Sequence, residues 1–349
     1  MKLTKLRLAT VLSSLVIIGV AMTGCAGPSQ SPAPSGLTGA PMTSIDVASP
    51  PGTLQAVPIA FGEAKGLYAK HNIDVKFVSV TGASALATAL VSGSVNMSIS
   101  AVSAIWPLAN QDQPVVALLP TLSSYFNVIG QPDLNLQEPA KGEKASLDNV
   151  KLLKGKKIGV SALGLSAPKV LMDYLLKQAG LSPTDVTYIA TGNLATSVAA
   201  FQQKQVDALV TTPPDEEYLG SDAFKYVANL ADTGTYKGLL SGEVTTTKSY
   251  ISSHRQAVTD MCIATKESYA YMKDPKNEKE AVAFLKTYLN LPSNDIAQQV
   301  WDNWNFSLIG DKPISEKLWK SASFWQAGSD IADYVPDFNT YVDKACNKA

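Results

Sequence analysis

The sequence predicts an α/β protein built from two similar lobes. Three observations carry that expectation. Residues 73–100 (IDVKFVSVTGASALATALVSGSVNMSIS) read as strand, turn, helix, strand. Residues 185–212 (DVTYIATGNLATSVAAFQQKQVDALVTT) repeat the same plan. The chain of 349 residues, 46% hydrophobic and 17% charged, holds apolar material for two cores.

In the first stretch Ile73, Val75 and Phe77, then Val78 and Val80, suit a buried strand. Thr81-Gly82-Ala83-Ser84 is a turn with a helix-capping hydroxyl. Leu86, Ala89, Leu90 and Val91 lie near helical spacing on one face, and Gly93 suits the stop. Val95, Met97 and Ile99 then alternate. In the second stretch Asp185-Val186 answers Asp74-Val75, Thr191-Gly192 answers Thr81-Gly82, and Asp207-Ala208 answers Asn96-Met97. Each copy places a helix N-terminus at the carboxyl ends of its strands, where open α/β sheets bind ligands. Gly82 and Gly192 are expected on opposite walls of one crevice.

The first 24 residues read as a leader rather than part of the fold. Lys2, Lys5 and Arg7 precede an apolar run that is short for a bilayer span. Met22-Thr23-Gly24-Cys25 resembles a bacterial lipobox, at which Cys25 is lipidated and becomes the new N-terminus; Met22 replaces the commoner Leu. One lipid-modified Cys tethers a protein without a transmembrane helix. Residues 26–41, rich in Gly, Ser, Pro and Ala, form a flexible spacer. Of 29 basic groups, the leader removes three; the remaining 26 face 30 acidic groups, and no basic stripe points to nucleic acid. Cys262 and Cys346 are a candidate disulfide, with two free thiols as the alternative.

Further along, residues 45–48 read as a first strand, 49–53 as a turn and 54–68 as a helix ending near Gly66. A strand follows at 115–119 and an extended segment at 123–130; residues 131–149 read as polar loop with room for a helical turn. Lys154-Gly155-Lys156-Lys157 turns into a strand ending at Ser161, without the Walker spacing that phosphate binding requires. Residues 162–166 turn into a helix at about 167–179, with Pro168 in its first turn. Strands are expected at 224–230 and 239–247. From 254 onward the pattern is helical, over 254–272, 277–290, 294–304 and 315–332, punctuated by Pro275, Pro292 and Pro313. Trp301, Trp304, Trp319 and Trp325 fall there and read as packing residues.

Reactive chemistry is sparse. His71 and His254 are the only histidines and lack ligand spacing, so no metal is expected. Gly164-Leu165-Ser166-Ala167-Pro168 fails the nucleophile-elbow pattern, and no GxGxxG marks a dinucleotide site; no catalytic residue and no cofactor are assigned. Asp215-Glu216-Glu217 reads as a solvated loop. Arg255 is the only arginine after the leader and is expected outside the crevice, so an anionic ligand would be held by helix N-termini and hydroxyls.

The runs GLYAKHNIDVKFVSVTGASALATALVSGSVNMSIS, KLLKGKKIGVS, LLKQAGLSPTDVTYI and KQVDALVTTPP together resemble the sulfonate, nitrate and thiamine-precursor (NMT1/THI5-like) substrate-binding proteins of ABC importers. The resemblance covers residues 45–343. Asn96 stands where that family usually has Asp, and Thr212-Pro213-Pro214 departs from its usual sequence.

The resemblance implies a type II periplasmic-binding fold, two α/β lobes joined by a two-segment hinge. Lobe 1 would comprise residues 44–119 and 243–349, lobe 2 residues 123–239, after a leader at 1–24 and a lipidated Cys with linker at 25–43. A small organic anion, aliphatic sulfonate-like, would be trapped between the lobes of a monomer and delivered to separate permease and ATPase chains. A neutral or aromatic nutrient such as a pyrimidine or vitamin precursor is the alternative. An enzyme on the same fold, a carbon–sulfur hydrolase or pyrimidine synthase, is the rival of another class; the Cys-rich motif of the latter is missing. Turn geometry nominates Ser49, Pro51, Gly52 and Thr53 after the first strand, Gly82, Ala83 and Ser84 after the second, and Ser100, Ala101 and Ser103 after the third. Lobe 2 would contribute Ser161, Gly164, Gly192, Thr212 and Pro213, with Tyr125 near the crossing covering an apolar part of the ligand.

Overall fold

The computed structural model describes residues 41–349 except 112, 138–142, 165, 230–235, 237, 328–334, 345 and 347–349. Residues 1–40, on which the expected leader, Cys25 and most of the expected linker fall, lie outside the described residues. Residues from Ala40 to Ala349 form one unit, which contains two five-stranded sheets.

The strands are β1 Thr43–Ser49, β2 Ile73–Ser79, β3 Met97–Ala101, β4 Val115–Pro120, β5 Asn127–Gly130, β6 Lys157–Val160, β7 Thr187–Ala190, β8 Ala208–Thr211, β9 Lys225–Ala228 and β10 Gly242–Thr247. The helices before β10 are α1 Val57–Ala64, α2 Ala83–Val91, α3 Val102–Asn110, α4 Glu143–Lys151, α5 Ala167–Gln178, α6 Leu194–Gln202 and α7 Asp215–Leu219. After it come α8 Lys248–Ser253, α9 Arg255–Lys273, α10 Glu278–Tyr288, α11 Asn294–Trp304, α12 Glu316–Ser321, α13 Phe324–Ala327 and α14 Phe338–Tyr341.

The first sheet has the order β2-β1-β3-β10-β4 and the second β7-β6-β8-β5-β9. In each sheet four strands run in one direction, and one antiparallel strand, β10 in the first and β5 in the second, enters across the chain crossing. The two crossing segments pair with one another: Ser124 N–H donates to the Leu239 carbonyl at 2.8 Å and Ser241 N–H to the Leu122 carbonyl at 3.0 Å. The hinge is therefore a short antiparallel ribbon. Trp325 Nε1–H donates to the Leu240 carbonyl at 2.6 Å, and the Ser321 hydroxyl accepts from Leu240 N–H at 3.1 Å, so the C-terminal helices hold one strand of that ribbon.

Those helices touch both sheets' layers. Phe61 of α1 lies edge-on to Phe284 of α10, with ring centroids 5.2 Å apart. Asn303 of α11 donates to Glu217 of α7 at 2.8 Å, and Phe324 of α13 lies 4.5 Å from the Tyr174 ring of α5. Trp106, Trp301, Trp304, Trp319 and Trp325 are all buried, as packing residues would be. The Cys262 and Cys346 sulfurs are bonded, with Cα atoms 5.4 Å apart, tying α9 to the end of the chain. Arg255 pairs with Asp343 at 2.9 Å.

Several local readings are corrected. The helix expected over 315–332 is interrupted: α12 stops at Ser321, a turn intervenes, and α13 begins at Phe324. The segment 54–68 begins with a 3₁₀ turn at Leu54–Ala56 before α1, and the α-helical run stops before Gly66, whose φ is +66°, as expected. The loop over 131–149 carries a full helix, α4, at its end. Helix α3 was not signalled by sequence, because Pro107 sits in its interior, where it removes one ladder bond.

Candidate functional site

An open crevice of about 980 Å³ separates α2 and α3 from the turn after β6. One wall carries Thr81, Gly82, Ala85, Thr88 and Val91, with Ala104, Pro107, Leu108 and Gln111 of α3 beside them. The facing wall is Ala162, Leu163, Gly164 and Ser166. Two large apolar side chains project into it from the two walls, Val91 at 37% exposure and Leu163 at 56%. None of the residues that line it is charged.

The helix ends explain what this space can hold. Helix α2 starts after Gly82, whose φ of +95° is open to glycine, and no side chain caps it. Helix α5 starts after Ser166, again with no side-chain cap, since the Ser166 hydroxyl donates to the Ala162 carbonyl instead. Both helices thus present uncapped backbone N–H groups and the positive ends of their dipoles at the crevice. Helix α6 differs: Asn193 accepts from Thr196 N–H and forms a capping box.

That difference bears on Gly192. It is exposed, but it does not line the crevice, and its N–H donates to the Ser161 carbonyl at 3.1 Å. The wall opposite Gly82 is built by Gly164 and its neighbours, not by Gly192. The expectation that Gly82 and Gly192 face each other is corrected accordingly. Local sequence located both turns but not which of them borders the first sheet's helices.

Of the other nominated residues, Pro51, Gly52 and Ser161 are exposed, and Thr53, Ala101, Thr212 and Pro213 are half-buried. Ser49, Ser100, Ser103 and Tyr125 are buried. Ala83 and Ser84 open α2 next to Gly82. Ser49 and Thr53 hydroxyls approach to 3.4 Å, and Thr53 donates to the Pro50 carbonyl, so both serve the turn. Ser98 bridges Ser100 at 2.8 Å and Thr245 at 2.9 Å, forming a hydroxyl ladder across the first sheet. Tyr125 is hydrogen-bonded to Gln55, and burial pushes its phenol up to about 12.

The acidic run at 215–217 is not a solvated loop. It forms α7, and Asp215 is buried. Its carboxylate accepts from the Ser197 hydroxyl and from Thr212 N–H at 3.0 Å. Burial outweighs those bonds and pushes Asp215 up to about 6. Glu216 accepts from Asn127, Thr211 and Tyr226. Asp215 is thus held by α6 and the turn after β8, and Glu216 by β5, β8 and β9, contacts that the run of charges gives no sign of. Val91, Leu163 and Gln55 were not nominated either; an apolar side chain on a Gly-flanked turn, as at Leu163, is the one signal that marks such a residue. Among the described residues no group of three or more His, Cys, Asp or Glu is placed to hold a metal ion.

Two similar sheets, a paired crossing and a crevice between them define a periplasmic-binding-protein fold of type II. The chain belongs to the NMT1/THI5-like family, whose model matches residues 53–278. It is 32% identical over 149 residues to a Brucella abortus (strain 2308) protein whose name claims no more than a binding protein. That match covers 43% of this chain and 41% of the relative, so the chain spans less than half the length of the curated relatives it matches. Among solved structures it is similar to a Bordetella bronchiseptica RB50 protein, with a TM-score of 0.72 at 20% identity over 87% of this chain and 96% of that one. It is similar also to the alkanesulfonate-binding protein SsuA of Xanthomonas axonopodis pv. citri, with a TM-score of 0.68 at 16% identity, covering 87% and 99%. The desulfurization enzyme DSZB shares the fold at a TM-score of 0.61 and 12% identity, covering 87% and 98%. No described helix is long and apolar enough to cross a membrane.

Proposed function

We propose that this protein is the extracytoplasmic solute-binding component of an ABC importer. It captures a small organic anion of the aliphatic sulfonate type between its two lobes and passes it to separate permease and ATPase chains. The carrying observation is the pairing of two uncapped helix N-termini with an apolar, uncharged crevice. Helix-end N–H groups suit a compact anionic head, and Val91, Leu108 and Leu163 suit an aliphatic tail. The proposed lobes are residues 44–119 with 243–349, and 123–239. Cys25 would carry the lipid that keeps a monomer at the outer face of the membrane.

Calorimetric titration with alkanesulfonates of increasing chain length, nitrate, amino acids and pyrimidines tests this reading. Tighter binding as the alkyl chain grows supports it. Binding of amino acids alone overturns it. A neutral or aromatic nutrient is the second reading, favoured by the lack of a cationic side chain on the crevice walls. An enzymatic role has less support: Cys262 and Cys346 are bonded to each other, which leaves neither as a thiolate nucleophile. Turnover of a bound compound by the purified protein alone would reverse that judgement.

A further inference from the structure

Beneath α3, on the side away from the crevice, lies a void of about 10 Å³, the size that one water fills. Glu243 of β10 and Trp106 of α3 both line it and are buried. Among the described residues, neither carboxyl oxygen of Glu243 nor the Trp106 Nε1 has a protein hydrogen-bond partner. Glu243 stands at the first turn of the strand after the hinge ribbon, opposite Ser100 of β3 and Pro120 of β4. The elements packed around the void contribute Ile105 and Ala109 from α3, Val115 and Ala117 from β4, Trp319 from α12 and Pro336. The one other titratable group facing it among the described residues is Tyr341 of α14, whose hydroxyl donates to the Ala109 carbonyl at 2.7 Å. No cation is among the lining residues.

We propose that Glu243 and the Trp106 indole hold one water in this void as a proton-binding site, and that ionisation of Glu243 loosens α3, whose opposite face walls the crevice. The water accepts the indole N–H and the acid O–H and donates to the acid's carbonyl oxygen. Both otherwise orphaned groups are thereby satisfied while the acid is neutral. Burial without a compensating charge favours that neutral form and pushes the acid up to about 8. An ionised carboxylate accepts about four hydrogen bonds. The void has room for about one water, so hydrating the charge requires one of its walls to move, and α3 is the wall it shares with the crevice. Among the described residues, helix α3 is the one element that carries both the void, through Ile105, Trp106 and Ala109, and the crevice, through Ala104, Pro107 and Leu108. The inference does not depend on which solute the crevice takes.

Infrared titration of the intact protein tests the site. The expected result is a carboxylic-acid carbonyl band that persists at neutral pH, disappears with a midpoint near pH 8, and is missing from Glu243→Gln. A protein with no such band at neutral pH, or one whose band Glu243→Gln leaves unchanged, overturns it. Should Glu243→Gln fail to fold, Trp106→Phe serves: loss of the indole donor moves the midpoint upward, and an unmoved midpoint overturns the shared water. Amide hydrogen exchange of Val102–Asn110, corrected for its intrinsic pH dependence, is expected to rise above the midpoint. Unchanged protection across the midpoint overturns the coupling to α3.

Discussion

Asn96 and Asp46 hold each other twice: Asn96 Oδ1 accepts the Asp46 N–H at 2.8 Å, and Asn96 N–H donates to the Asp46 carbonyl at 2.9 Å. In the second sheet Asp207 does the same to Lys157, accepting its N–H at 2.8 Å and donating to its carbonyl at 2.8 Å. The residue entering the third strand of each repeat thus clamps the first strand. An amide oxygen accepts the same bond as a carboxylate, so Asn96 in the first sheet and Asp207 in the second make the same clamp. Asn96→Asp is expected to fold with near-native stability. Asn96→Ala leaves the Asp46 N–H without that acceptor and is expected to cost about 1–2 kcal/mol in urea unfolding.

The bond between Cys262 and Cys346 closes a separation of 84 residues, and both side chains are buried. Restricting the unfolded chain over that span stabilises by about 2–4 kcal/mol. A Cys262→Ser, Cys346→Ser pair is expected to lower the melting temperature while leaving solute affinity unchanged, because neither residue lines the crevice. Calorimetry of both quantities checks it.

Leu163 is 56% exposed on the crevice wall, so replacing it costs little packing. Leu163→Glu puts a carboxylate beside the uncapped α5 N-terminus. It is expected to weaken a sulfonate ligand at least about 10-fold, or about 1.4 kcal/mol, with the melting temperature of the free protein nearly unchanged. An equal loss of stability and affinity would instead identify Leu163 as a packing residue.

Glu243 lies at about 8 in the folded protein against 4.5 for a solvated glutamate. Between those values the folded state keeps a proton that the unfolded state has released. Its contribution to stability is therefore complete below about pH 4.5 and is lost as pH rises through about 8. The loss over that window is of order 5 kcal/mol. Asp215, at about 6 against 3.8, adds a smaller loss with the same sign at lower pH. Urea midpoints from pH 5 to pH 9 should fall in the native protein and fall less in Glu243→Gln.

The strands and the helices that pack on them were legible because their signal is local. Alternation in Ile73, Val75 and Phe77, a Gly-bearing turn, then apolar residues at helical spacing identify β2 and α2 wherever they lie in space. The repeat at Asp185 is legible for the same reason, and the apolar spacing over 294–304 matches α11. The crevice was only partly legible. Gly82 and Gly164 line it, whereas Gly192, from an equally convincing turn, stands outside.

What the sequence by itself determined is the pair of matching α/β units and the residue types at their turns, since backbone preference and side-chain period act between neighbours. Only the tertiary structure decided which turns face each other, why Asp215 and Glu243 are buried, and how α3 comes to lie between crevice and void. Those properties depend on segments far apart in the chain, such as β10 inserting between β3 and β4. Burial and pairing at that distance are set by how whole layers pack, and no local pattern of residues encodes them.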